Sequence, residues 1–298
     1  MAPQSMKTKM SEAPGFIAAL DQSGGSTPGA LRLYGIPDTA YSGDAEMFAL
    51  IHQMRTRVMT APAFNGDKVI GAILFERTMD GEVQGKQTPT FLWEDRGVVP
   101  FLKVDKGLEK EEDGVCLMKP NPTLDTLLER AVKLGIFGTK MRSTITLPSE
   151  IGIAAIVKQQ FEVGAQILRH GLVPIIEPEV SIKSPDKKKA ESILNEQILR
   201  HLDSVPSDQQ VMLKLTIPDV PDLYLPLIKH PRVVRVVALS GGYTRADACK
   251  KLAHNHHMIA SFSRALVEDL KVSMSDEEFD AALARSIDEI YQASTVKV

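Results

Sequence analysis

The 298-residue chain is poor in cysteine, in aromatic side chains and in excess charge of either sign. Its two cysteines, Cys116 and Cys249, lie too far apart for a metal-ligand spacing and are too few for a disulfide framework, so a reducing, cytoplasmic setting is expected. Aromatic residues make up 5% of the chain and the formal net charge is -3, which gives no basis for a nucleic-acid surface. No apolar run approaches the roughly 18 residues that a membrane span requires, and Met1 to Met10 lacks the apolar core of a signal peptide. No linker, low-complexity tract or short repeat breaks the sequence, so one soluble domain over 1–298 is expected, with a homo-oligomer left open.

What the chain does have is a rhythm of eight short apolar runs: Phe16 to Leu20, Val69 to Phe75, Val98 to Leu102, Phe137 to Met141, Leu172 to Ile176, Val211 to Leu215, Val233 to Leu239 and Met258 to Phe262. They are continuous rather than alternating, as befits parallel strands covered on both sides. Helical patterns separate them. Met47, Leu50, Ile51, Met54 and Val58 share one face after Ser42, and a similar stripe runs from Ile153 to Ile167 before a stop at Gly171. Thr27-Pro28 reads as a helix start with its end at Gly35, and Ser275 with Glu278 as a capping box opening the last helix. The fold class is therefore α/β, a single-domain (β/α)8 TIM barrel, whose typical length is about 250 residues.

Each run closes on residues suited to chemistry: Asp21, Glu76, Lys103, Lys140 with Arg142, Glu177 with Glu179, Lys214, Ser240, and Ser263 with Arg264. Catalytic groups of such barrels sit at the C-terminal strand ends. A lysine is costly to bury, and any one of Lys103, Lys140 and Lys214 could simply reach out to solvent. Three of them gathered with carboxylates in one mouth point instead to a tuned amine, because a nearby cation and desolvation both lower a lysine pKa. Lys214, inside Val211-Met212-Leu213-Lys214-Leu215, has the most apolar setting and is the expected nucleophile.

Glu177 and Glu179 lie two apart on one strand and so face the same way, as paired carboxylates for acid/base work would, or as a rim ion pair would. Lys140 and Arg142 share that spacing, one placed to tune Lys214 and the other to bind an anion. Ser240-Gly241-Gly242 and Ser263-Arg264 follow the last two strands, where barrels often bind phosphate through backbone amides and a forked arginine. A second loop, Asp21-Gln22-Ser23-Gly24-Gly25-Ser26, offers Ser23 and Ser26 across the mouth. Two motifs mislead. Gly81 to Gln87 has the wrong glycine spacing for a P-loop, and His254-Asn255-His256-His257 precedes the last strand, which places it on the face away from the chemistry.

From Phe16 to Leu266 the chain resembles the class I fructose-1,6-bisphosphate aldolases, above all their short bacterial branch. The motifs that carry the resemblance are Ala19-Leu20-Asp21, Leu102-Lys103-Val104-Asp105-Lys106-Gly107, Thr139-Lys140-Met141-Arg142, Val173-Pro174-Ile175-Ile176-Glu177-Pro178-Glu179, Leu213-Lys214, Leu239-Ser240-Gly241-Gly242 and Ser263-Arg264-Ala265-Leu266. The resemblance implies that Lys214 forms the Schiff base and that Glu177 is the principal proton acceptor. It implies that Glu179 and Lys140 position and tune the lysine, and that Asp21 lies near the substrate C4 hydroxyl. It places Lys103 and Arg142 near the second phosphate, and Ser240, Gly241, Gly242 and Arg264 at the phosphate beside the ketone. The implied partners are sugar phosphates, with no metal and no cofactor. Departures from the longer animal members are Gln22 in place of an acid, Ser263 in place of a glycine, no arginine at Ala30, and an ending at Thr295-Val296-Lys297-Val298 without their tyrosine tail. The rival readings are another imine-forming barrel, such as a transaldolase or single-phosphate aldolase, and a catalytically silent barrel kept for binding.

Overall fold

A computed structural model describes residues 3–298. Eight strands form the barrel: β1 (Phe16–Leu20), β2 (Val69–Leu74), β3 (Val99–Lys103), β4 (Gly138–Ile145), β5 (Val173–Val180), β6 (Val211–Thr216), β7 (Val233–Leu239) and β8 (Ile259–Phe262). Each pairs in parallel with the next, and β8 pairs with β1, so the sheet closes on itself. Closure removes both sheet edges and leaves every strand buried on two faces, which is why the runs are apolar without alternation.

The two faces nonetheless have separate cores. Outward residues such as Ala18, Leu20, Leu213 and Phe262 pack under the helices, among them Gly43–Thr60, Glu150–Arg169, Lys187–Leu202 and Asp276–Thr295. Inward residues, including Ile17, Ala19, Ile73, Phe101, Phe137, Ile175, Met212, Val237 and Ile259, fill the barrel. Phe101 and Phe137 meet edge to face there, with centroids 5.4 Å apart. The sequence pattern delimits the helices well. Thr27–Tyr34 ends at Gly35, whose φ of 97° takes the left-handed cap, and Ser275 and Glu278 form the reciprocal capping box.

Three features differ from the sequence expectation. Strands β4 and β5 do not stop at Met141 and Ile176 but run eight residues each, to Ile145 and Val180. Their far halves are held by continued register, Arg142 opposite Glu177 and Thr144 opposite Glu179, and by an antiparallel pairing of β4 with Val115–Cys116. Charged residues that read as a strand terminus thus extend the strand above the barrel rim. Second, Gln4–Glu12 is a helix that precedes the barrel. Met6 and Met10, one turn apart, bury themselves in the inner core and close the lower end, while Arg235 from β7 donates to the Met10 carbonyl at 3.0 Å and to that of Ala13 at 3.3 Å. Third, the Gly81–Gln87 stretch is a small hairpin, Glu82–Val83 against Lys86–Gln87, whose turn needs positive φ at Gln84 and Gly85. His256 is bonded to Asp222 below the barrel, away from the cavity. Among the described residues no helix is long and apolar enough to cross a membrane.

Candidate active site

The alternation of a strand carries the site directly out of the inner core. Ile17 and Ala19 lead to Asp21, Phe101 to Lys103 and Asp105, Ile175 to Glu177 and Glu179, Met212 to Lys214, and Ile259 to Ser261 and Ser263. Residues two apart share a face, so apolar floor and polar mouth are successive layers of the same inward rows. They open into a cavity of about 760 Å³. Fourteen of the residues expected from the sequence line it: Asp21, Ser23, Ser26, Lys103, Lys140, Arg142, Glu177, Glu179, Lys214, Ser240, Gly241, Gly242, Ser263 and Arg264. Glu76 does not. It opens a short helical turn and is bound by Lys106, at 3.1 Å, and by Arg130.

At the floor of the mouth an alternating chain of charge crosses from β1 to β6. Asp21 Oδ2 is 2.6 Å from Lys140 Nζ, Lys140 Nζ is 3.0 Å from Glu177 Oε2, and Glu177 Oε1 is 3.2 Å from Lys214 Nζ. All four groups are buried. Burial alone would push the Asp21 carboxyl up, but Lys140, Lys214 and Lys103 together hold it down at about 2. Burial alone would lower the Lys140 pKa, yet Asp21, Glu177 and Asp105 raise it above the ordinary lysine value. Lys140 is thereby a fixed cation and cannot serve as the attacking amine. Among the described residues Glu177 is the one carboxylate within 4.0 Å of Lys214 Nζ, at the end of the chain.

Glu177 is anchored from behind. Gln160, buried on the helix Glu150–Arg169, accepts the Glu177 amide proton at 2.9 Å and donates to Ser143 on β4. Glu179 plays a different part from its neighbour: it binds Arg142 Nε rather than Lys140 or Lys214. Of the two readings of the pair, the rim ion pair describes Glu179, because Arg142, in register with Glu177 on the neighbouring strand, is close enough to claim the outer carboxylate. Arg142 itself still lines the cavity.

Asp105 was given no role in the sequence reading, though it sits in the same motif as Lys103 and two residues from it. Its Oδ1 accepts from Lys103 Nζ at 2.7 Å and its Oδ2 from the Arg142 amide at 3.2 Å, so it fixes the lysine against the β4 backbone. The parity of Phe101, Lys103 and Asp105 was the available signal. Ser261 was likewise passed over; its buried hydroxyl lines the cavity without a protein partner.

The opposite wall is formed by the loops that follow β7 and β8. Gly241 and Gly242 have φ of 59° and 105°, successive positive values that side chains rarely adopt, and both line the cavity. A side chain at Gly241 would also meet Ile182 at 2.8 Å. Arg264 stands exposed beside them, at the start of a short helix Arg264–Val267. Across the mouth, Ser23 and Ser26 close a tight turn, with the Ser23 amide donating to Ser26 Oγ at 3.0 Å. No group of three or more His, Cys, Asp or Glu side chains is arranged to hold a metal ion among the described residues.

Comparison with known proteins agrees with this arrangement. A family model described as fructose-bisphosphate aldolase class-I matches residues 49–221. The class 1 fructose-bisphosphate aldolase of Synechocystis sp. is 58% identical over 98% of this chain and 97% of its own length. That of Porphyromonas gingivalis is 58% identical over 96% and 97%. Among solved structures, the Plasmodium falciparum fructose-bisphosphate aldolase, captured with TRAP and a small-molecule inhibitor, superposes with a TM-score of 0.73 at 19% identity, covering 100% of this chain and 97% of that one, a likeness of fold. With a family model over more than half of its length and relatives 58% identical along nearly all of it, the chain belongs to the class-I fructose-bisphosphate aldolases.

Proposed function

We propose that this chain is a lyase that reversibly cleaves fructose 1,6-bisphosphate to dihydroxyacetone phosphate and glyceraldehyde 3-phosphate through an imine on Lys214. The setting would be the cytoplasmic traffic of glycolysis and gluconeogenesis, with residues 1–298 acting as one unit. The observation that carries the reading is the buried chain Asp21, Lys140, Glu177, Lys214, which has a fixed cation in its middle and an amine with a single carboxylate neighbour at its end.

Neutral Lys214 attacks the C2 ketone, and its surplus proton passes to Glu177, 3.2 Å away. Glu177 returns that proton to the C2 oxygen, completing a neutral carbinolamine, and a second proton, taken up from solvent, converts the C2 hydroxyl to departing water and leaves the protonated imine, an electron sink. Asp21, held at about 2, is too weak a base to retain a proton at neutral pH and instead orients the C4 hydroxyl. Glu177 takes that hydroxyl proton as the C3–C4 bond breaks. The aldehyde departs, and the enamine is reprotonated at C3 and hydrolysed. Lys140 keeps Asp21 ionised and holds Glu177 Oε2 at 3.0 Å between these transfers. The ketone-side phosphate is read by Ser240, the amides of Gly241 and Gly242, Ser263 and Arg264. The far phosphate lies toward Lys103, Arg142, Ser23 and Ser26.

The test is borohydride trapping with dihydroxyacetone phosphate, read by peptide mass spectrometry. Modification of Lys214 with loss of activity is expected, and modification of another lysine would overturn the assignment. Turnover should survive chelators, because the imine supplies the polarisation that a Lewis acid otherwise would. Cleavage of fructose 1,6-bisphosphate should exceed that of fructose 1-phosphate, since the far site has lysine and arginine ready for a second phosphate.

A further inference from the structure

Arg55 stands behind the site rather than in it. The helix Gly43–Thr60 carries it inward until 2% of it is exposed. Its hydrogen-bond partners are Thr78 Oγ1 at 2.8 Å, the Gln22 backbone carbonyl, and Gln22 Oε1 at 3.4 Å, none of them a carboxylate. A guanidinium donates and never accepts, so the edge of the Gln22 amide that faces it must be the oxygen. The amide nitrogen is then turned the other way, and Nε2 donates to Ser263 Oγ at 2.6 Å. A serine oxygen that accepts keeps its own proton for another acceptor, and no protein group takes that proton among the described residues. Ser263 lines the cavity together with Ser240, Gly241, Gly242 and Arg264.

We propose that Arg55 and Gln22 are positioning residues that fix Ser263 as a hydrogen-bond donor to the ketone-side phosphate. The direction of each bond follows from the one before it: Arg55 donates to Gln22 Oε1, Gln22 Nε2 donates to Ser263 Oγ, and the Ser263 hydroxyl donates into the cavity. The two departures noted in the sequence, Gln22 for an acid and Ser263 for a glycine, thus belong together. A glutamate at Gln22 would accept from Arg55 and from the serine alike, and would draw the serine proton away from the phosphate. A glycine at Ser263 would leave the Gln22 amide without its acceptor. The same bridge ties the residue after Asp21 to the loop that follows β8, so the two walls of the mouth are set by one buried cation.

This inference rests on the phosphate reading given above, and the experiment separates the two. Binding of inorganic phosphate to the full-length protein is measured by calorimetry, together with the KM for fructose 1,6-bisphosphate, in Ser263→Ala, Gln22→Met, the double variant and Arg264→Ala. Loss of one charge-assisted hydrogen bond should weaken phosphate binding about tenfold in Ser263→Ala. Gln22→Met should weaken it as well, and the double variant should bind no more weakly than Ser263→Ala alone, since both remove the same bond. Additive losses, or a Gln22→Met protein that binds phosphate like the parent, would overturn the relay. If Gln22→Met does not fold, Gln22→Glu retains the Arg55 contact; removing the Ser263 hydroxyl in that background should cost no further phosphate affinity, and a further loss would again overturn it. Should Arg264→Ala weaken phosphate while Ser263→Ala does not, the relay alone fails. Should neither variant weaken it, the phosphate site itself lies elsewhere.

Discussion

Glu177 is gripped by an amine on each oxygen, Lys214 Nζ at 3.2 Å from Oε1 and Lys140 Nζ at 3.0 Å from Oε2. Lys140 is tied a second time, to Asp21 at 2.6 Å, whereas Glu177 is the one carboxylate within 4.0 Å of Lys214 Nζ among the described residues. On the mechanism proposed above, this asymmetry lets Glu177 carry protons for Lys214 rather than for Lys140.

Replacing Glu177 with Gln preserves the size of the side chain and removes its ability to take a proton. The kcat should fall by about a hundred- to ten-thousand-fold, the usual range for a lost acid/base group. The rate of borohydride-trapped imine formation should fall with it. A variant within tenfold of the parent in both measurements would move the acid/base role to another residue.

Asp21 ties stability to acid. Its folded-state pKa of about 2 lies below the value of about 3.9 expected for an unfolded aspartate, so the folded protein binds the proton less readily. The stabilisation is full above roughly pH 4 and is lost as pH falls through about 2, and is on the order of 2 kcal/mol. Urea unfolding across that window should show the loss in the parent. The Asp21→Asn protein should show a flatter acid limb, and an identical limb would deny the coupling.

Arg264 and Lys214 should fail in different ways. A fork of charge-assisted bonds to a phosphate dianion contributes about 2 to 4 kcal/mol, so Arg264→Ala should raise the KM for fructose 1,6-bisphosphate by at least about tenfold with turnover still measurable. Lys214→Ala should abolish turnover while binding persists. Parent-like kinetics in Arg264→Ala would reverse the orientation of the substrate across the mouth.

Much of this was legible in the sequence because a barrel translates position in a strand into direction. Once Ile175 and Met212 face the interior, Glu177 and Lys214 must face the cavity above it, whatever the loops do. The same logic covered Asp105, which a stricter use of parity from Phe101 would have found. What stayed hidden depends on contacts between elements far apart in the chain. Nothing local to Glu179 says that Arg142 claims it, or that β4 and β5 continue past their apolar cores. Arg55, one of several charged residues on an amphipathic helix, gains its meaning only from Thr78 and Gln22, neither of which shares a motif with it. Met6 and Met10 carried a one-turn spacing too short to announce a helix.

The apolar floor has a kinetic corollary. With Met6, Met10, Phe101 and Phe137 sealing the barrel below the lysines, the cavity is closed at its floor. On the imine mechanism proposed above, a fragment still bonded to Lys214 cannot go first, so the aldehyde clears the passage before the ketone is released, and in synthesis the ketone enters ahead of the aldehyde.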